Sequence, residues 1–200
     1  MREGIDVSYC QEGFDFEAAK AAGKEFCIVR IGRTRGDGRQ ELDDLFIHNI
    51  NVAKAAGMDI GVYFYSLATT TWQAQQEAMW LVKQLDIYLK DVELKAGIWM
   101  DIEEEMQKDL GAQELTSVVM AGINVMNEAG KYVGIYGSYD TLVNCMNLED
   151  IPDYVPFFVA IFGPVNYFKQ EYPNKTCSLW QYSDEGQING CAVDLDVMYD

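Results

Sequence analysis

The sequence predicts an α/β fold of five strand–helix units followed by three further strands. That order closes a barrel of eight or leaves an open, mainly parallel sheet. Three observations carry the prediction. An Ala-Gly junction recurs immediately before short apolar runs, the segments between those runs carry helical spacing, and the rhythm changes to strands alone beyond Tyr139.

The first candidate strand is Gly4-Ile5-Asp6, continuing into Val7-Ser8. Ala22-Gly23 precedes the second, Phe26-Cys27-Ile28-Val29-Arg30-Ile31, and Ala56-Gly57 precedes the third, Ile60-Gly61-Val62-Tyr63-Phe64-Tyr65. Lys95-Ala96-Gly97 precedes the fourth, which runs from Ile98 to Glu103, and Ala129-Gly130 precedes the fifth, Tyr132 to Tyr136. Each glycine fits the left-handed position that ends a helix. Leu45, Ile50, Val52 and Ala53 have helical spacing, as do Trp72, Ala78, Leu81, Val82 and Leu85, and then Leu115, Val118, Val119, Ile123 and Met126. Thr70, Thr71 and Gln73 with Glu77 make a polar start for the second of these helices. The last three strands are Phe157–Phe162, Ser178–Tyr182 and Ala192–Val197, with Ser183-Asp184-Glu185-Gly186-Gln187 as the turn of a closing hairpin.

Composition narrows the function. Two hundred residues with 49% hydrophobic and 12% aromatic side chains suit one sizeable domain, residues 1–200. Thirty-two acidic against fifteen basic residues give a net charge of −17, which repels nucleic acid and anionic membrane surfaces. The single histidine, His48, lies in a mid-helix stretch and reads as structural, so neither an HExxH helix nor a two-histidine facial triad exists. Cys10, Cys27, Cys145, Cys177 and Cys191 are odd in number with no CxxC, and sequence alone leaves their pairing open. Met1-Arg2-Glu3-Gly4 runs into a strand with no apolar signal region, so an exported form implies a trimmed signal or another route. No window approaches the roughly 18 apolar residues of a membrane span.

The chemistry is read from carboxylates at the C-terminal ends of strands, where barrel enzymes gather their reactive groups. Asp6 ends the first strand, Asp101 and Glu103 end the fourth, and Asp194 lies within the last. Asp101 and Glu103 are two apart on extended backbone, so both project to one face with Cα atoms about 6.5–7 Å apart. Mutual repulsion and burial raise the proton affinity of one member, supplying an acid and an anion from one functional group, as glycoside hydrolysis requires. Tyr63, Tyr65, Tyr136 and Trp180 lie at strand ends, where aromatic planes stack on sugar rings. The bland alternatives are an Asp-x-Glu arising by chance in an acidic chain and aromatics that pack the core. The same four carboxylates also suit a hard divalent ion, although no phosphate-cradling loop accompanies them.

Gly4-Ile5-Asp6-Val7-Ser8, Gly61-Val62-Tyr63-Phe64-Tyr65-Ser66, Asp101-Ile102-Glu103, Gly134-Ile135-Tyr136-Gly137, Trp180-Gln181-Tyr182 and Val193-Asp194-Leu195 together resemble the glycoside hydrolase family 25 lysozymes. The blocks occur in order across almost the whole chain. The resemblance implies a flattened TIM-like barrel and an N-acetylmuramidase that needs no cofactor or metal. Its partners would be peptidoglycan glycan strands, met by a monomer outside the cell or at the wall. It gives Glu103 the general-acid role, makes Asp6, Asp101 and Asp194 the accompanying site carboxylates, and places Tyr63, Tyr65, Tyr136 and Trp180 along the groove. Phe64 departs from the histidine found there in many members, and wall-binding repeats are absent. A glycan-binding protein without turnover remains the non-catalytic alternative. Arg30, Arg33, Arg35 and Arg39 would either meet substrate carboxylates or offset the acidic surroundings.

Overall fold

The fold is described from a computed structural model covering residues 1–199. Nine strands form one sheet: β1 Arg2–Val7, β2 Phe26–Thr34, β3 Gln40–Leu42, β4 Asp59–Tyr65, β5 Ile98–Asp101, β6 Gly134–Ser138, β7 Phe157–Ala160, β8 Cys177–Ile188 and β9 Cys191–Met198. The helices are α1 Phe16–Ala21, α2 Phe46–Ala55, α3 Thr71–Tyr88, α4 Glu105–Lys108, α5 Ala112–Glu128, α6 Tyr139–Asn144 and α7 Tyr167–Glu171. The strand order β1-β9-β8-β7-β6-β5-β4-β2-β3, with a further β1–β2 pairing, closes eight strands into a barrel and leaves β3 outside it. Pairings from β1 through β8 around the barrel are parallel, and β9 is antiparallel to both neighbours. The closed barrel settles the alternative of an open sheet.

The junction glycines do what their sequence context requires in three of four places. Gly23, Gly57 and Gly130 follow α1, α2 and α5 with φ of 88°, 72° and 71°. Gly97, with φ 86°, ends a turn closed by a hydrogen bond to the Leu94 carbonyl, because α3 has already stopped at Tyr88. The start of α3 is a reciprocal cap: Thr70 Oγ1 accepts from the Gln73 amide at 3.2 Å while Gln73 Oε1 accepts from the Thr70 amide at 3.1 Å. The closing hairpin turns at Asn189-Gly190, not at residues 183–187, which extend β8. Asn189 at φ 49° and Gly190 at φ 82° supply the positive φ angles that a two-residue hairpin turn needs. The short β3, three part-exposed residues pairing with the end of β2, carries no apolar signal from which to predict it.

Two cores hold the barrel. The larger lies between sheet and helices and includes Val29, Val62, Leu81, Leu115 and Ile135. The smaller fills the barrel itself with Phe26, Ile28, Trp99, Phe158, Leu179 and Met198. Glycines on the inner face make room for this plug. A Cβ on Gly4 would lie 2.3 Å from the Phe26 ring, and one on Gly134 would lie 2.4 Å from the Trp99 ring. Trp99 and Phe158 meet edge to face at 5.5 Å, and Tyr136 packs on Phe158 at 4.8 Å. The barrel is therefore solid below, and its mouth at the C-terminal strand ends is a blind pocket.

Candidate active site

A pocket of about 210 Å³ opens at that mouth, with Asp6, Asp101, Glu103 and Asp194 on its walls beside Tyr63 and Tyr136. The sheet register explains the convergence. Asp6 on β1 and Asp194 on β9 are direct cross-strand partners, and Asp101 on β5 is flanked in register by Tyr65 on β4 and Tyr136 on β6. Glu103 follows two residues after Asp101 and reaches the same pocket, as the alternation of an extended segment requires.

Like charges directly opposite on neighbouring strands are destabilising, so the Asp6–Asp194 pair needs compensation. Gln181 on β8 provides it. This buried amide accepts a hydrogen bond from the Tyr136 hydroxyl at 2.9 Å and donates to Asp6 Oδ2 at 2.7 Å and Asp194 Oδ2 at 3.4 Å. The phenol fixes which way the amide points, and the amide nitrogen then faces both carboxyl groups.

Burial, followed by the neighbouring Asp194 charge, holds the Asp6 carboxyl well above the usual carboxylate range. Asp101 is raised well above it by burial and then by Glu103, and its Oδ1 has no hydrogen-bond partner. Asp194 is pushed up to about 6 by burial and by Asp184. Glu103 is raised by desolvation and then by Glu104, but it stands solvent-exposed at the mouth, and water moderates that push. The arrangement thus separates carboxyls of different proton affinity within one pocket, the condition for acid and base roles.

Two of the four aromatic residues expected along the groove stand outside the carboxylate pocket. Tyr65 donates its hydroxyl proton to Glu104 Oε1, and Trp180 donates its indole N–H to the Ile161 carbonyl at 2.8 Å; neither lines the carboxylate pocket. Phe64 faces outward, fully buried against Trp80 with ring centroids 5.4 Å apart, so this position offers the pocket nothing polar. His48 is exposed on α2, outside the pocket. The five cysteines are free thiols. Each of the four arginines is paired inside the chain: Arg30 with Asp43, Arg33 and Arg35 with Glu41, and Arg39 with Asp37.

Sequence reasoning did not single out Gln181, Phe158, Phe162 and Asp184 as pocket residues. Nor did it find Asp196, fully buried two residues past Asp194, with neither oxygen hydrogen-bonded. Burial, then Asp6 and Asp194, raises the Asp196 carboxyl well above the usual carboxylate range. The alternation Asp194-Leu195-Asp196 was the available signal. Among the described residues, no group of three or more histidine, cysteine, aspartate or glutamate side chains is arranged to hold a metal ion.

Several carboxyl groups at the strand ends of a closed barrel, with aromatic faces beside them, are the equipment of a glycoside hydrolase. The chain belongs to the glycosyl hydrolases family 25, whose sequence profile matches residues 5–191. It is similar to the probable family 25 lysozyme 2 of Dictyostelium discoideum, 25% identical over 96% of this chain and 89% of that protein. It is also similar to lysozyme M1 of Streptomyces globisporus, 24% identical over 97% of this chain and 66% of that protein. Among solved structures, the modular autolysin LytC of Streptococcus pneumoniae, in complex with a synthetic peptidoglycan ligand, superposes with a TM-score of 0.82. It is 22% identical, over 99% of this chain and 46% of that one, a likeness that concerns the fold. No helix among the described residues is long and apolar enough to cross a membrane.

Proposed function

We propose that residues 1–200 form a single catalytic unit that hydrolyses the β-1,4 bond between N-acetylmuramic acid and N-acetylglucosamine in bacterial peptidoglycan. The observation that carries this reading is the meeting of Asp101, Glu103, Asp6 and Asp194 in one blind pocket, with Gln181 linking the last two. Family membership and the lysozyme names of the two curated relatives support the substrate class.

Glu103 acts as general acid. It stands at the mouth, where a leaving glycosidic oxygen approaches, and desolvation together with Glu104 raises its proton affinity above that of an ordinary glutamate. As the bond to that oxygen breaks, positive charge develops at the anomeric carbon. Carboxylates held below it stabilise that charge more strongly than they would in water, because the pocket floor is apolar. Asp194, pushed up only to about 6 while burial holds Asp6 and Asp101 well above the usual carboxylate range, is the readiest of these to ionise; Asp101 lines the same pocket beside it. Tyr63 and Tyr136 offer ring faces to the sugar within the pocket, and Tyr65 and Trp180 are proposed to line the groove beyond it. The substrate places this chemistry outside the cell or at the wall.

The test is an end-group analysis of peptidoglycan incubated with the protein. New reducing N-acetylmuramic acid ends, formed equally with and without EDTA, are expected. New reducing N-acetylglucosamine ends would mean a glucosaminidase, and loss of activity in EDTA would favour a carboxylate-bound divalent ion.

A further inference from the structure

The carboxylate pocket is not the roomiest cavity among the described residues. A second cavity of about 440 Å³ lies between the β2–β3 connection, the segment after β4 and the first turns of α3. Its volume falls within the roughly 300–1,000 Å³ of small-molecule sites. No unpaired ionisable group lines it. Arg35 is held by Glu41 at 2.9 Å and Asp37 by Arg39 at 2.7 Å. The buried Glu77 carboxylate accepts from Thr34 Oγ1 at 2.7 Å, Ser66 Oγ at 2.5 Å and the Leu67 amide at 3.1 Å. With its charges internally satisfied, the cavity has no affinity to offer a phosphate or a metal ion.

What it offers instead is neutral and amphipathic. Trp72 stands on its edge 66% exposed, an unusual solvent cost for an indole with no packing role in the core. Gln76 and Gln73 line the same space, and neither the Gln76 amide nor the Gln73 amide nitrogen makes a hydrogen bond within the chain. An apolar ring face beside free amides matches a sugar ring, whose C–H face stacks while its hydroxyl and acetamido groups hydrogen-bond. The cavity is built from segments that adjoin the candidate site: Leu67 and Thr69 on its wall come just after Tyr65, Met106 comes three residues after Glu103, and Tyr65 is hydrogen-bonded to Glu104.

We infer that this cavity is a remote subsite for an N-acetylated amino sugar of the same glycan strand, with Trp72 as its stacking platform. The inference rests on the muramidase reading and adds to it a preference for long strands. Glycan strands freed of cross-links, long or trimmed to four sugars, would be titrated calorimetrically into the Glu103→Gln protein, alone or with Trp72→Ala or Trp72→Phe. Trp72→Ala should weaken binding of long strands about three- to tenfold and leave the four-sugar fragment unchanged, while Trp72→Phe should retain most of the long-strand affinity. Equal long-strand binding with and without Trp72→Ala would overturn the inference, as would equal weakening for both lengths. Failure of the muramidase reading shows differently, as a parent protein that releases no reducing ends from peptidoglycan.

Discussion

Replacing Gln181 by Leu keeps the approximate volume of the side chain and removes every hydrogen bond that organises the Asp6–Asp194 pair. Three bonds are lost: Tyr136 hydroxyl to Oε1 at 2.9 Å, and Nε2 to Asp6 and Asp194 at 2.7 and 3.4 Å. A net contribution of about 1 kcal/mol per bond, with about 1–3 kcal/mol for a buried polar partner left unpaired, brackets the destabilisation. Burial of the added apolar surface returns part of it, leaving a loss of about 2–4 kcal/mol. For a chain of this length, that lowers Tm by roughly 5–15 °C. A second effect acts on chemistry. Gln181 lowers the proton affinity of Asp6, so its removal moves the pair further from ionisation. Calorimetric melting and peptidoglycan clearance across pH would measure both. A variant with the parent Tm and the parent rate at every pH would refute the assignment of Gln181 as the organiser of the site.

Asp194 titrates near 6 in the folded protein against an ordinary value of 3.8, so the folded state holds its proton more tightly than the unfolded chain. Its contribution to stability is therefore full below about pH 4 and is lost as pH rises through about 6; Asp194→Asn should flatten the fall of Tm over that interval, and an unchanged slope would contradict the burial assigned to it. Gly134→Ala should cost about 1–3 kcal/mol in urea unfolding, because the added methyl meets the Trp99 ring at 2.4 Å and the Pro156 carbonyl at 2.6 Å; a neutral substitution would show that the barrel plug is loosely packed.

Much of this architecture is legible in the sequence because local and global signals agree. Ala-Gly junctions stop helices, Thr70 and Gln73 start one, and apolar runs of strand length follow each stop. Asp6, Asp101, Glu103 and Asp194 are legible for the same reason: alternation along a strand specifies a face, and the barrel turns that face inward. What escaped depends on pairing between distant segments. The position of Gln181 between Tyr136 and two aspartates follows from the register of β8 with β7 and β9, which includes bulges that no local pattern announces. Asp196 escaped because a solvated acid and a fully buried one are written with the same letter. Ser183–Gln187 has the polar composition of a turn, yet the strand continues through it, partly exposed, and the chain reverses only at Asn189-Gly190.

The account stands most directly on the proton of Glu103. Glu103→Gln preserves shape and puts an amide where the carboxyl group stood, removing the acid. Initial rates of reducing N-acetylmuramic acid release should fall by about 10²–10⁴ relative to the parent, with binding of glycan strands retained. A Glu103→Gln protein that releases those ends at the parent rate would contradict the assignment of the general acid and, with it, the proposed mechanism.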